Sequence, residues 1–301
     1  MGEGSFALIL LLAAPDFASL FNAGLERYSA RRFEEAAPLL RQAAQIRPQD
    51  FNARYLLGAA LAQLGRNDEA LREWRTAQRI QPDHRKLLQL LIVEYSKGRY
   101  FQESAAVAKQ ALSREPGDAD LHYLAIKALQ DAGDYDAARE VARRAAEKFP
   151  ESARANFEYG FHLQKIGDVA RSLELLRKAM RLDPSYEEPF FFYAGLLVKQ
   201  GAYEEALPHL RTALRNRPDY VPARVLLARA LMQLERWEEA QQEVREAIRL
   251  SPEHPQPHLL LSQIFFRLGE EGKAREEKEL SLKLRRANPT LLEAVQGRPL
   301  Q

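Results

Sequence analysis

In the 34 residues from Phe51 to His84, apolar side chains recur at intervals of three and four in two runs. The first run holds Tyr55, Leu56, Gly58, Ala59, Leu61, Ala62 and Leu64; the second holds Ala70, Leu71, Trp74, Ala77 and Ile80. That spacing gives each run one broad apolar face and predicts two amphipathic helices. Gly65 stops the first helix. Pro82 ends the second, because proline disfavours helix in the residue before it. Two helices of about a dozen residues and a short turn make an antiparallel helical hairpin. The pattern fills the chain: Pro48, Pro82, Pro116, Pro150, Pro184, Pro218 and Pro252 fall 34 residues apart. A hairpin buries its apolar face only against a neighbour, so the periodicity predicts an all-α stack with one continuous core.

Small residues mark the places where helices approach closely. The Gly58 slot recurs as Gly24, Gly160, Ala194, Ala228 and Ser262, with Ile92 and Ile126 as exceptions. The Ala70 slot holds only Ala or Ser, and so does the Ala77 slot. With these residues in place, the chain resembles the tetratricopeptide repeat family, whose unit is 34 residues long with this Gly/Ala, Ala, Ala, Pro pattern. The resemblance implies a right-handed superhelical solenoid of eight helix-turn-helix repeats, over 17–50, 51–84, 85–118, 119–152, 153–186, 187–220, 221–254 and 255–288. Residues 1–16 are then an N-terminal apolar segment and residues 289–301 a C-terminal cap or tail, in which 290–296 adds a short turn of helix. Pro38 and Pro208 fall early in a second helix, where a distorted first turn is expected.

Composition narrows the chemistry. Lys and Arg number 44 against 42 Asp and Glu, a net charge of +2. A nucleic-acid partner is not expected, since such proteins carry a clustered basic face. The chain has no cysteine, which removes disulfides and thiolate chemistry. The apolar run from Phe6 to Ala14 is too short to span a bilayer. It has the length of a signal-peptide core but lacks a preceding Lys or Arg; the other reading is an apolar cover for the first repeat. A cytoplasmic and an exported or periplasmic location both stay open.

No phosphate loop, nucleophile elbow or His-Glu-x-x-His motif is present. His254 and His258 have metal spacing, but Pro255 and Pro257 intervene at a helix start. Acidic pairs such as Glu204-Glu205 and Glu238-Glu239 sit before second helices, where they favour the helix N-terminus. The chain therefore reads as non-catalytic, with no cofactor and no metal.

The family resemblance implies that the first helices line a concave groove. The slots of Tyr55, Ala59 and Gln63 then supply a candidate peptide-binding set: Tyr55, Tyr123, Lys127, Phe157, Phe161, Lys165, Phe191, Lys199 and Arg229. An aromatic stripe with a cationic border suits a protein or peptide partner bearing apolar anchors and acidic residues. Removing Phe157 and Phe191 together is expected to abolish capture and spare the fold. The chain reads as a protein–protein interaction scaffold. Two alternatives are a regulatory or substrate-recruiting subunit of an enzyme or secretion complex, and a periplasmic or outer-membrane assembly factor.

Overall fold

A computed structural model describes residues 16–287; the N-terminal apolar run and the expected turn at 290–296 lie outside the described residues. Within them the regular elements are sixteen α-helices and no strand. They alternate 13-residue first helices with 14-residue second helices, apart from the longer last one. The pairs are α1 (Phe17–Ser29) with α2 (Phe33–Ile46), α3 (Phe51–Gln63) with α4 (Asn67–Ile80), α5 (Arg85–Lys97) with α6 (Phe101–Arg114), and α7 (Ala119–Asp131) with α8 (Tyr135–Lys148). There follow α9 (Ala153–Lys165) with α10 (Val169–Leu182), α11 (Glu187–Lys199) with α12 (Tyr203–Asn216), α13 (Val221–Gln233) with α14 (Trp237–Leu250), and α15 (Pro255–Arg267) with α16 (Glu271–Ala287). The described residues form two compact units, 16–138 and 139–287, and the division falls inside α8 rather than at a linker. Within each unit, a first helix packs on its own second helix and on the second helix before it.

The helix boundaries follow from local chemistry. Side chains cap six of the eight first helices. The Ser19 amide donates to Asp16 and the Ala53 amide to Asp50, each at 2.8 Å. His84 and His254 do the same work: their Nδ1 atoms accept from the Leu87 and Gln256 amides at 3.2 Å. At the far ends, residues before the periodic prolines are extended, as at Arg47 with ψ 85° and Asp183 with ψ 95°. Pro38 and Pro208 do not break their helices: α2 and α12 start in phase with the other second helices and keep their 14-residue length. Both prolines are exposed early in the helix, where the lost amide costs one hydrogen bond.

Helix-to-helix distance within a hairpin is set by one complementary pair. A Cβ on Gly58 would sit 2.6 Å from Cδ1 of Trp74, and one on Gly24 would sit 2.8 Å from Cγ of Leu40. Trp74 also donates its indole N–H to the Tyr55 carbonyl at 3.0 Å. Where the glycine slot holds Ile92, the opposing slot shrinks to Ala108, and both are buried. That exception in the small-residue pattern is thus a volume exchange within the α5/α6 hairpin.

In three hairpins a second pair clips the first helix to the linker before it. Arg54 donates to Glu73 at 2.6 Å and to the Pro48 carbonyl at 3.3 Å. Arg224 repeats this with Glu243 at 2.7 Å and Pro218 at 2.8 Å. His258 contacts Glu277 at 2.7 Å and Pro252 at 3.0 Å. Elsewhere the same two slots hold apolar pairs, Leu20 with Leu39 and Leu88 with Val107, or mixed pairs, His122 with Val141, Asn156 with Leu175 and Phe190 with His209. Asn156 also reaches the linker, donating to the Pro150 carbonyl at 2.9 Å.

The turn residue has positive φ in all eight hairpins: five are glycine, and three are Arg31, Arg99 and Glu235 at 58°, 62° and 59°. Side chains cost about 1–2 kcal/mol in that region. Glu235→Gly should therefore raise the denaturation midpoint by the equivalent of about 1 kcal/mol, and Gly201→Glu should lower it similarly. In a chemical-denaturation cycle, Gly58→Ile should be strongly destabilising alone and largely rescued by Trp74→Ala. An additive double variant would show that the exchange at Ile92 and Ala108 is not compensatory.

Candidate binding groove

The first helices supply the expected aromatic residues but do not expose them equally. Tyr55 is half-buried, with its ring 5.7 Å from Phe51 and 5.8 Å from His84. Tyr123, Phe157 and Phe161 are 8%, 5% and 3% exposed, so they are core residues rather than an open anchoring surface. In the second unit the rings form a ladder. Phe157 lies 5.3 Å from Tyr186 and 5.5 Å from Phe192, Phe161 lies 5.0 Å from Phe192, and Phe191 lies 5.1 Å from Phe192 and 5.0 Å from Tyr220. Burial raises the Tyr186 and Tyr220 hydroxyl pKa values, with Glu188 adding to both, so both rings stay neutral. The expectation that Phe157 can be removed without cost to the fold is therefore overturned: its ring holds α9 against α11 and the linker between α10 and α11.

The cations divide too. Lys127 is spent on Asp131 at 3.1 Å. Lys165 lies over the Phe161 ring at 5.3 Å. Lys199 and Arg229 make no ion pair or hydrogen bond with any described residue. Both are exposed.

These two line a cavity of about 420 Å³ in the second unit, floored by Phe191, Phe192, Val198, Val225 and Leu226. Arg229 and Val198 also border a neighbouring cavity of about 510 Å³, whose apolar wall includes Met232, Leu259 and Leu282. Its other cations are Lys278 and Arg285. Neither cavity has an Asp or Glu in its lining. Leu259 and Leu282 are 42% and 45% exposed, and Phe266 beside them is 65% exposed. Lys278 and Arg285 are absent from the set expected from first helices, because α16 is a second helix. The available sequence signal was Lys278 itself, standing where other repeats hold Leu, Trp, Val or Ala. The size, apolar floor and few polar groups are those of a recognition site.

The candidate catalytic groups are otherwise engaged. Glu239 is held by Arg236 at 2.6 Å and by Arg211 at 3.2 Å, and the Arg236 hydrogen bond lowers its pKa. His254 caps α15 while His258 faces Glu277 and the Pro252 carbonyl, so the two rings serve different structural contacts. Among the described residues no group of three His, Asp or Glu is placed to hold a metal, and no helix is long and apolar enough to cross a membrane.

A family model described as tetratricopeptide repeat matches residues 27–92 and 197–264. Another of the same description matches 123–187 and 161–221. No curated protein matches the chain. Among solved structures, MamA from Desulfovibrio magneticus RS-1 is 22% identical with a TM-score of 0.50, over 56% of this chain and 96% of that one. A chain of the APC/C hetero-tetramer Cut9-Hcn1 is 14% identical with a TM-score of 0.62 over 92% of this chain, which spans 55% of that one. YrrB, a TPR protein with an unusual peptide-binding site, is 18% identical with a TM-score of 0.50, over 64% of this chain and 99% of its own. At these identities the likeness is one of fold.

Phe157→Ala should cost about 3–5 kcal/mol, as expected for emptying a buried aromatic site. Phe191→Ala, half-buried, should cost clearly less. Urea denaturation of the two variants checks the order, and equal losses would refute the assignment of Phe157 to the core.

Proposed function

The chain belongs to the tetratricopeptide repeat family, and from that premise we propose that it is a non-catalytic scaffold. It binds a protein segment with apolar anchors and acidic residues in the groove of its second unit. The observation that carries this reading is the combination of an apolar floor with Lys199 and Arg229, neither neutralised by a carboxylate among the described residues. Solvated side chains of opposite sign pair readily on this protein's outer surfaces, as Arg211 does with Glu239 at 3.2 Å and Arg249 with Glu246 at 2.7 Å. Cations left unpaired beside exposed hydrocarbon suit a ligand that supplies both complements. YrrB supports the ligand class, since its peptide-binding site is built on the same fold.

Of the nine residues expected to line the groove, Phe191, Lys199 and Arg229 carry this proposal. Phe157 and Phe161 support the floor from beneath. Tyr55, Tyr123 and Lys127 belong to the first unit and Lys165 is engaged with Phe161, so none of these four is assigned a contact. Electrostatic steering by Lys199 and Arg229 would speed encounter and weaken as salt rises.

The test uses immobilised synthetic peptides that combine Leu or Phe with Glu. The full chain should capture them, with affinity falling as salt is raised. Leu259→Asp, at a 42% exposed position, should keep the parent's melting temperature and lose capture. Capture that is undiminished in both Leu259→Asp and Val198→Asp would sink the groove reading.

A further inference from the structure

The second unit contains a glycine that its packing does not require. Gly24, Gly58 and Gly160 lie in first helices, and a Cβ on any of them would meet neighbouring atoms within 3.3 Å. Gly195, inside α11, differs: an added Cβ would meet only Leu226 Cδ2, at 3.8 Å, an ordinary contact. Its φ is not in the left-handed region either. Glycine in a helix interior weakens the helix relative to alanine. Here that weakness brings no closer packing and no special turn. What it leaves is space, because Gly195 lines the cavity of about 420 Å³.

Arg229 stands at the border of that space and of the adjoining cavity. It is reachable by solvent, yet the walls around it desolvate the guanidinium enough to lower its pKa. No described carboxylate offsets this. Hydrocarbon lies on both sides: Phe191, Val198 and Val225 in one cavity, Met232, Leu259 and Leu282 in the other.

Resting on the groove reading above, we propose that Gly195 and Arg229 form a notch for a peptide carrying an acidic residue between two apolar ones. The missing side chain at Gly195 admits the ligand's main chain against α11. Arg229 then takes the central carboxylate through paired N–H donors, a geometry that guanidinium matches and ammonium does not. The flanking apolar side chains enter the two cavities. Arg229 determines the charge that is read, and Gly195 determines how closely the backbone can approach.

Matched peptide libraries that differ only in a central Glu, Gln or Lys, each with Leu or Phe on both sides, test this on the full chain. The parent should prefer Glu over Gln by about tenfold or more, the value of a charge-assisted contact. Arg229→Gln should remove that preference, Arg229→Lys should restore only part of it, and Arg229→Glu should shift it towards Lys. Gly195→Leu should lose binding while melting no lower than the parent, and Gly195→Ala should melt higher with weakened binding. A Glu preference that survives Arg229→Gln, or undiminished binding by both Gly195 variants, overturns the notch. If Leu259→Asp still abolishes capture in that case, the groove reading stands without the notch. A parent chain that captures no library overturns both.

Discussion

Where glycine holds the eighth position of a repeat, the first helix meets the second through that residue and the twenty-fourth, and their volumes are complementary. Gly24 faces Leu40, Gly58 faces Trp74 and Gly160 faces Leu176. Ile92 is matched by Ala108. If both residues were large, the helices would be forced apart, and an overpacked contact of that kind costs about 1–3 kcal/mol. If both were small, a cavity would remain, at a cost that grows with its volume. Because each hairpin solves this locally, its helices can keep one separation while its outward positions vary. The 34-residue phase persists because no hairpin needs an extra residue to make its helices fit.

Many of the charges are matched in pairs. The Arg54–Glu73 and Arg224–Glu243 pairs are partly buried, with side chains between 15% and 26% exposed. They are compensated by linker carbonyls as well as by each other. Glu35, Glu69 and Glu239 each lean on the arginine three residues earlier, and that hydrogen bond holds each carboxyl below its usual pKa. These exposed pairs contribute little to stability individually. In the second unit's groove no carboxylate lines either cavity, so the side chains that would satisfy Lys199, Arg229, Lys278 and Arg285 are not provided by the described chain.

Helix bounds were readable because they depend on nearest neighbours in sequence. Asp16 and Asp50 cap, Pro48 and Pro82 follow extended residues, and Gly65 turns with φ 71°. The site was only partly readable, because exposure depends on what lies across from a residue. Phe157 and Phe191 occupy the same slot one repeat apart, yet Phe157 is capped by Tyr186 and Phe192 and becomes core, whereas Phe191 remains half-open. Lys127 and Lys199 likewise look equivalent in composition; Asp131, one helical turn on, silences Lys127, while Lys199 has no such neighbour. His254 and His258 are four residues apart, but Pro255 opens α15 between them; His254 caps the helix through the Gln256 amide and His258 faces Glu277.

Gly195 shows how a structural pattern can hide a functional residue inside itself. In a chain whose repeats hold glycine at close contacts, one more helical glycine attracts no notice. Only distance separates the cases: Gly58 has an indole against it, while Gly195 has 3.8 Å of clearance to Leu226. Glycine lowers helix stability in both places, but at Gly58 the tryptophan contact offsets the loss. At Gly195 no contact among the described residues does so, and the space it leaves opens onto the cavity proposed above to admit a ligand main chain. The same reasoning covers Arg229, whose desolvation is not repaid by any described carboxylate. Two uncompensated residues bordering one cavity, one of volume and one of charge, define the shape and the sign of the group that would complete them.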